Sequence, residues 1–563
     1  MEKGRDPPPA TTSCCFHFCI SPLPSTKYSI LKSVKSAKKL PSQKQQKLDL
    51  ITTLFVVIVF LLLSLLFNAG KVLHGSGTSS SFVHRKKYFE LVPSGSLDVT
   101  LRKSAMVPLP VRDFKEMNYS DVEREFWTVR ENMNVGRTPC IVFSLKYRKA
   151  SRRIVAEKRK FLEVLVSGGL NQQRNQIIDA VVISRILGAA LVVPILKVNA
   201  VWGDGSKFSD IFDVNHFKRT LRSDIRIVGT ESLPDYYKIH SVGGEIQIPF
   251  NSSPLLIRRL LGNQLNKHGV VTLGGLDSKL SKRLNSDLQK LRCKVSFHAL
   301  RFHPRVHDLG NKLARRMWDQ GPYVGIHLRL EKDVWVRTGC LPDLGPELDL
   351  AIIQERHSHP ELLTGRFEMS PARRKLAGLC PLTAYELARF LKAMGVEETA
   401  RLYLAGGESY GGESGVVDLL TQFPNFVTKE TLAEEEELNP YLNSSSALAA
   451  LDFMITLSSD VFVASHGGNM GRALRGYRSY CGGGGSMGGR RKIMKPNKRG
   501  LAVLFGKKVT NETEEAIGVA VRKMHRYRKD RYGGRDDDVV SNPTAVCMCR
   551  SRTNGVLTSS LEL

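Results

Sequence analysis

Acidic residues are scarce in this sequence: 54 Asp+Glu stand against 83 Lys+Arg, a formal charge of +29. Cysteines are sparse too, ten in 563 residues, which excludes a scaffold built from disulfides. No Cys/His spacing resembles a zinc cluster, and the one D-x-D spacing, Asp536 to Asp538, sits in a charged tail with no strand before it. A short repeat is missing, which argues against a solenoid. What is present is a 42% hydrophobic content, too high for a wholly disordered chain, and a length that suits two to four domains. The positive excess asks for nucleic acid, a membrane surface or an anionic substrate, and its distribution chooses between them.

Leu50 to Phe67 carries no charge, and its polar residues are Thr52, Thr53 and Ser64. Eighteen helical residues at about 1.5 Å each reach about 27 Å, enough for the hydrocarbon core of a bilayer. A core helix would show a polar stripe, and a signal peptide would not follow some fifty residues of chain. Lys35, Lys38, Lys39, Lys44 and Lys47 precede the run while Lys71 alone follows closely, so the positive-inside rule leaves the N-terminus in the cytosol and the rest in a lumen. The sequons at Asn118, Asn443 and Asn511 fit that compartment; a fourth, at Asn251, is a poor acceptor because Pro254 follows it. Cys14, Cys15 and Cys19 fall in the cytosolic tail, a setting for palmitoylation and against disulfides. The other seven cysteines can pair in the lumen, with no connectivity readable from their spacing.

Beyond the anchor, a Gly/Ser-rich opening and Pro-punctuated stretches read as a stem. From Phe161 the pattern changes to strand (Phe161–Val166), glycine loop, helix (Asn171–Leu187) and strand (Ala190–Pro194), the unit of a parallel α/β sheet. It recurs with strands at Tyr323–Leu328, Arg401–Ala405 and Val461–Ala464 and helices at Ala384–Met394 and Ser445–Leu457. The expected organisation is a cytosolic tail (1–49), anchor (50–68), stem (69–155), N-terminal Rossmann-like domain (156–318), C-terminal Rossmann-like domain (319–506) and a basic, partly disordered tail (507–563).

Three stretches have the residue types for binding a diphosphate. Gly168, Gly169, Asn171, Gln172 and Arg174 form a strand-to-helix loop, neither GxGxxG nor Walker, in which glycines admit a phosphate to backbone amides and Arg174 adds charge. A plain turn explains the same pattern. His327 and Arg329 share a face at a strand's end, where an Arg can hold a diphosphate and stabilise a departing anion. A solvated strand edge with an Arg–Glu pair is the competing reading. Asp452 on a helix, then Ser465, His466, Gly468 and Asn469 after a strand, supply a second candidate phosphate loop with a carboxylate for a nucleobase.

These residues carry a resemblance. GGLNQQR (168–174), LVVPIL, IFDVNHFKRTL, QKLRCKVSFHALRF (289–302), GIHLRLEKDVWVRTGC (325–340), LYLAGGESYGGE (402–413), FPNFVTKETL (423–432) and LDFMITLSSDVFVASHGGNM (451–470) resemble the plant O-fucosyltransferase family over about 160–500. The resemblance implies a GT-B-like fold, two Rossmann-like domains facing a cleft. It implies a Golgi type II enzyme that transfers a 6-deoxyhexose with inversion and without metal or cofactor. The implied donor is GDP-fucose, or UDP-rhamnose as in similar pectin enzymes, and the acceptor a glycan, pectin or glycoprotein. By the same resemblance Arg329 binds the diphosphate with His327 beside it, Asn171 lies near the sugar and phosphate, and Asp452 and the 465–470 loop hold the base and phosphates. A silent lumenal scaffold is the alternative from another class. The first 49 residues account for +6 of the charge and set topology, and the remaining +23 lies beyond the anchor. There it suits a nucleotide diphosphate and an acidic surface, and nucleic acid is not an expected partner.

Overall fold

The computed structural model describes residues 106–550, apart from 107, 115–116, 129–136, 200–201, 234–244, 365–368, 482–490, 507–510 and 527–537. The expected anchor at 50–68 and the glycine-rich run at 482–489 lie outside the described residues. Among the described residues no helix is long and apolar enough to cross a membrane. The chain divides into two units, Met1–Val92 and Pro93–Leu563, and every element below belongs to the second.

A short strand, β1 (Arg137–Pro139), precedes the first parallel sheet. That sheet holds β2 (Phe161–Val166), β3 (Ala190–Val192), β4 (Ile195–Leu196), β5 (Ile227–Val228) and β6 (Val270–Gly274). β2 is its hub: β6 pairs along Phe161–Leu165, while β3 and β4 pair in succession with Phe161–Leu162 and Leu165–Val166. Phe161, Leu162, Val164 and Val166 are all buried, the near-continuous apolar pattern of a strand covered on both faces. Helix α1 (Leu170–Leu187) joins β2 to β3 and buries Ile177, Ile178, Val181, Val182 and Ile186. It ends at Gly188, whose φ of 66° is left-handed and free of penalty for glycine.

The second sheet, in the order β11-β10-β7-β8-β9, is parallel throughout: β7 (Tyr323–His327), β8 (Arg401–Ala405), β9 (Phe426–Val427), β10 (Val461–Ala464) and β11 (Lys492–Met494). The α/β class with parallel sheets is therefore as the alternating pattern predicts. Between the sheets runs α2 (Pro304–Asp319), started by Pro304 at its first position. It packs against α3 (Ser445–Ser458), and the approach is so close that a Cβ on Gly310 would stand 2.5 Å from Met454 Sδ. With α4 (Asn469–Cys481), α3 contributes Phe453, Tyr477 and Tyr480 to the core cluster that also holds Val181, Leu291 and Phe297 of the first half. The helices that connect strands of the second sheet thus complete the core of the first.

Part of the expected tail folds back onto the body. β12 (Met548–Arg550) pairs antiparallel with β1, and disulfides join Cys140 to Cys549 and Cys293 to Cys547. Arg292, buried, lies 3.7 Å from Asp179 and 2.7 Å from Asp538. A third disulfide links Cys340 and Cys380, and Cys481 keeps a buried thiol. Asn118 and Asn443 are exposed, and Asn511 opens the helix Asn511–Arg526.

Candidate active site at the carboxyl ends of the sheets

In a parallel sheet the loops that follow each strand gather at one edge, and two such edges contribute here. After β2 the chain turns at Gly168, whose φ of 83° calls for glycine, and Gly169 caps α1. Gln172 turns back to accept from the Gly169 N–H at 3.1 Å, and Gln173 donates to the Gly168 carbonyl at 3.0 Å and to Ser446 Oγ at 3.2 Å. The loop is thereby fixed from its own helix and from α3. Asn171 is half-buried, and its Oδ1 has no hydrogen-bond partner among the described residues.

Arg174 departs from the expectation of a phosphate-facing charge. One turn into α1 it points into the core, 2% exposed, with its guanidinium 5.0 Å from the Phe453 ring, 5.1 Å from Tyr477 and 5.8 Å from Phe302. Its Nη2 donates to Tyr477 Oη at 3.0 Å. The charge is held by aromatic faces rather than by an anion.

At the end of β7, Arg329 is set by carboxylates. Its guanidinium reaches Asp333 through two hydrogen bonds of 3.1 and 2.8 Å and lies 2.7 Å from Glu331. Burial works against its charge, but Glu331 and Asp333 outweigh that and raise its pKa, so it is a permanent cation. Burial, reinforced by Arg329, pulls His327 down to about 3, leaving a neutral imidazole across the physiological range.

The loop after β10 divides in role. Ser465 is fully buried: its hydroxyl accepts from the Arg329 N–H at 2.8 Å and donates to the His327 carbonyl at 3.1 Å, tying the ends of β7 and β10 together. His466 is drawn down to about 3 by burial, then by Lys498 and Arg329. Lys498 donates to its Nδ1 at 2.9 Å, and burial brings that amine down to about 8. Gly467 and Gly468 are exposed, a Cβ at either would meet nothing, and Asn469 begins α4. An open glycine pair before a helix N-terminus leaves room for an anion at the backbone amides.

The sequence presents Asp452 as available to a nucleobase, but its oxygens are engaged within the chain. Oδ1 accepts from Tyr403 Oη at 2.7 Å, Oδ2 from the Gly406 N–H at 3.2 Å, and Lys429 Nζ lies 3.3 Å away. Lys429 also donates to the Gly406 carbonyl at 2.8 Å. The pair shapes the turn after β8, where a Cβ on Gly406 would stand 2.5 Å from the Leu328 carbonyl oxygen.

Two side chains of the site carried no signal in the sequence. Trp202, 40% exposed, stands so close to the first glycine loop that a Cβ on Gly169 would be 3.3 Å from its ring, and Arg329 lies 5.9 Å from the ring centre. It joins the loop of the first sheet to the cation of the second. Lys498, in a basic stretch that reads as solvated, is the other. Among the described residues no cluster of three or more His, Cys, Asp or Glu side chains could hold a metal ion.

The family model described as GDP-fucose protein O-fucosyltransferase matches residues 161–481. O-fucosyltransferase 37 of Arabidopsis thaliana is 52% identical over 473 residues, 83% of this chain and 81% of that protein. O-fucosyltransferase 20 of the same plant is 49% identical over 434 residues, 76% of this chain and 74% of the relative. A solved structure of POFUT1 in complex with GDP-fucose aligns with 60% of this chain and 98% of its own, at 12% identity and a TM-score of 0.35.

Proposed function

The chain belongs to the plant O-fucosyltransferase family and is a glycosyltransferase, and from that membership we propose that it moves fucose from GDP-fucose to a glycan or protein hydroxyl. The observation that carries the reading is the placement of Arg329: a fixed cation at the carboxyl edge of the second sheet, joined through Trp202 to the glycine loop of the first. In this reading the diphosphate is held by Arg329 and by amides at the Gly467–Gly468 turn before α4. Asn171, with its unpartnered Oδ1, faces the sugar and phosphate.

The acceptor hydroxyl attacks the anomeric carbon from the side opposite the diphosphate. The C–O bond to the phosphate breaks, the configuration inverts, and the hydroxyl proton leaves to a base. Arg329 takes up the charge growing on the leaving group, the task a divalent cation performs in other transferases, so the proposed reaction is metal-independent. His327 beside Arg329 stays neutral, and its carbonyl accepts from Ser465 Oγ at 3.1 Å, which ties the strand end in place. Three disulfides and the exposed sequons Asn118 and Asn443 support a lumenal catalytic part, and the 50–68 run a Golgi type II anchor.

The test is a donor comparison on the full-length protein, with GDP-fucose, UDP-rhamnose and GDP-mannose, reading hydrolysis and transfer with and without EDTA. GDP-fucose turnover that persists in EDTA and falls roughly 10²–10³-fold in Arg329→Ala is expected. Preference for UDP-rhamnose would move the enzyme to pectin rhamnosyl transfer. Undiminished turnover in Arg329→Ala would overturn the assigned role.

A further inference from the structure

Outside the Arg329 cluster, the second half holds a cavity of about 490 Å³, within the roughly 300–1,000 Å³ of small-molecule sites. Its walls come from chain that follows β7 (Leu330, Trp335, Leu344), chain that follows β8 (Tyr410) and the start of the helix Ala384–Ala393 that leads into β8. A helix feeding a parallel strand begins at that strand's carboxyl end, so the cavity opens from the same edge of the sheet as Arg329. Leu330, which lines it, is Arg329's neighbour in the chain.

The lining is aromatic and braced. Arg389 lies 5.6 Å from the Tyr385 ring centre and 4.4 Å from that of Phe505, and its Nη2 donates to Glu514 at 2.6 Å. Two walls are thereby fixed by one guanidinium. Tyr385 is half-exposed. The polar groups are few: Lys375 lies 2.8 Å from Asp343 and 3.6 Å from Glu386, joined by Asp418, Thr383 and the Tyr385 and Tyr410 hydroxyls. Three carboxylates against one ammonium leave the cavity net negative. Aromatic faces suit the C–H faces of a pyranose, and carboxylates accept from its hydroxyls; the same carboxylates repel an acidic sugar.

We propose that this cavity binds a neutral sugar unit and rejects a uronic acid, and that the unit belongs to the acceptor glycan. Only the last clause rests on the transferase reading above; the binding itself does not.

Saturation-transfer NMR on the full-length protein tests it, with cellobiose, galactobiose, xylobiose and mannobiose as neutral probes and digalacturonate as the acidic one. At least one neutral disaccharide is expected to bind, with digalacturonate about tenfold weaker or absent. Tyr385→Ala should weaken the neutral probe by up to about tenfold with an unshifted melting temperature. Asp343→Asn, at a φ of 61° that Asn tolerates, should strengthen digalacturonate binding. The neutral signal should persist in Arg329→Ala, which separates this site from the donor site. No neutral probe bound, full binding in Tyr385→Ala, or digalacturonate bound as tightly as the neutral probes would overturn the proposal. If the sugar binds while GDP-fucose is not turned over, the pocket stands and the donor assignment falls.

Discussion

The guanidinium of Arg329 lies 5.9 Å from the centre of the Trp202 ring, a cation over an aromatic face contributed by the other half of the molecule. Such a contact is worth about 0.5–2 kcal/mol, depending on its exposure to solvent. Trp202→Ala is therefore expected to lower kcat/KM for the donor by roughly tenfold, with little change in melting temperature because the side chain is 40% exposed. Trp202→Phe keeps a ring and should restore most of the loss. Equal kinetics for Ala and wild type would remove Trp202 from the site.

The Asp452–Lys429 pair is buried, with each residue 5% exposed. Asp452→Asn keeps the shape but removes the buried one of two carboxylates at the Lys429 ammonium, the other being the half-exposed Glu430 at 3.1 Å, and breaking such a buried pair costs up to about 3–5 kcal/mol. Urea unfolding should show a loss of that order, and the turn at Gly406 should lose order with it. A loss under about 1 kcal/mol would mean that Glu430 alone suffices to hold the Lys429 charge.

His327 and His466 both sit near a pKa of about 3, depressed by burial and neighbouring cations. In the unfolded chain each binds a proton near 6.5, so between about pH 6.5 and 3 the unfolded state holds more protons than the folded one. Their contribution to stability is present in full above about 6.5 and declines as the pH falls toward 3, each contributing at most about 1.4 kcal/mol per pH unit. His466→Gln should flatten that acid slope in unfolding measured from pH 4 to 7. The pH–rate profile between 5 and 8 should have no limb assignable to His327, and His327→Gln should not change its shape.

The Cys340–Cys380 disulfide closes 40 residues of chain beside the cavity that holds Asp343 and Lys375. Replacing both cysteines by serine should cost about 2–4 kcal/mol, read as a lowered melting temperature. Reduction would open the partly exposed Cys140–Cys549 bond as well, so the serine pair is the test, and an unshifted melting temperature in it would show that packing alone holds this loop.

How much of this was legible beforehand differs by residue for physical reasons. β2, β8 and β10 could be bounded to the residue because short apolar runs abut glycine, arginine or a turn, signals that sit entirely in local sequence. The place of Arg329 beyond a strand end was legible because an apolar run stops just before it. Arg174 misled, since a charged side chain in a glycine loop looks solvent-facing. Its aromatic partners Phe302, Phe453 and Tyr477 lie 128 or more residues away. Trp202 is a lone aromatic in a polar loop, and Lys498 one cation in a basic run; both acquire meaning only when two sheets bring distant loops together. The stretch 538–550 is apolar at Val539, Val540 and from Ala545 to Cys549, but Ser541-Asn542-Pro543 splits it into two short runs behind a charged segment, and its partner β1 lies about 400 residues away, so no local signal shows that it folds onto β1.

That last stretch places a timing constraint on synthesis. Cys549 and Cys547 follow their partners by 409 and 254 residues. At about 5–20 residues per second, Cys140 waits roughly 20–80 s for its mate to be made. Cys481 is translated during that interval and offers Cys140 and Cys293 a thiol before either native partner exists. The native pairing is thus the last available rather than the first, and oxidation that runs ahead of translation has to be undone by thiol exchange before the chain can close on its own beginning.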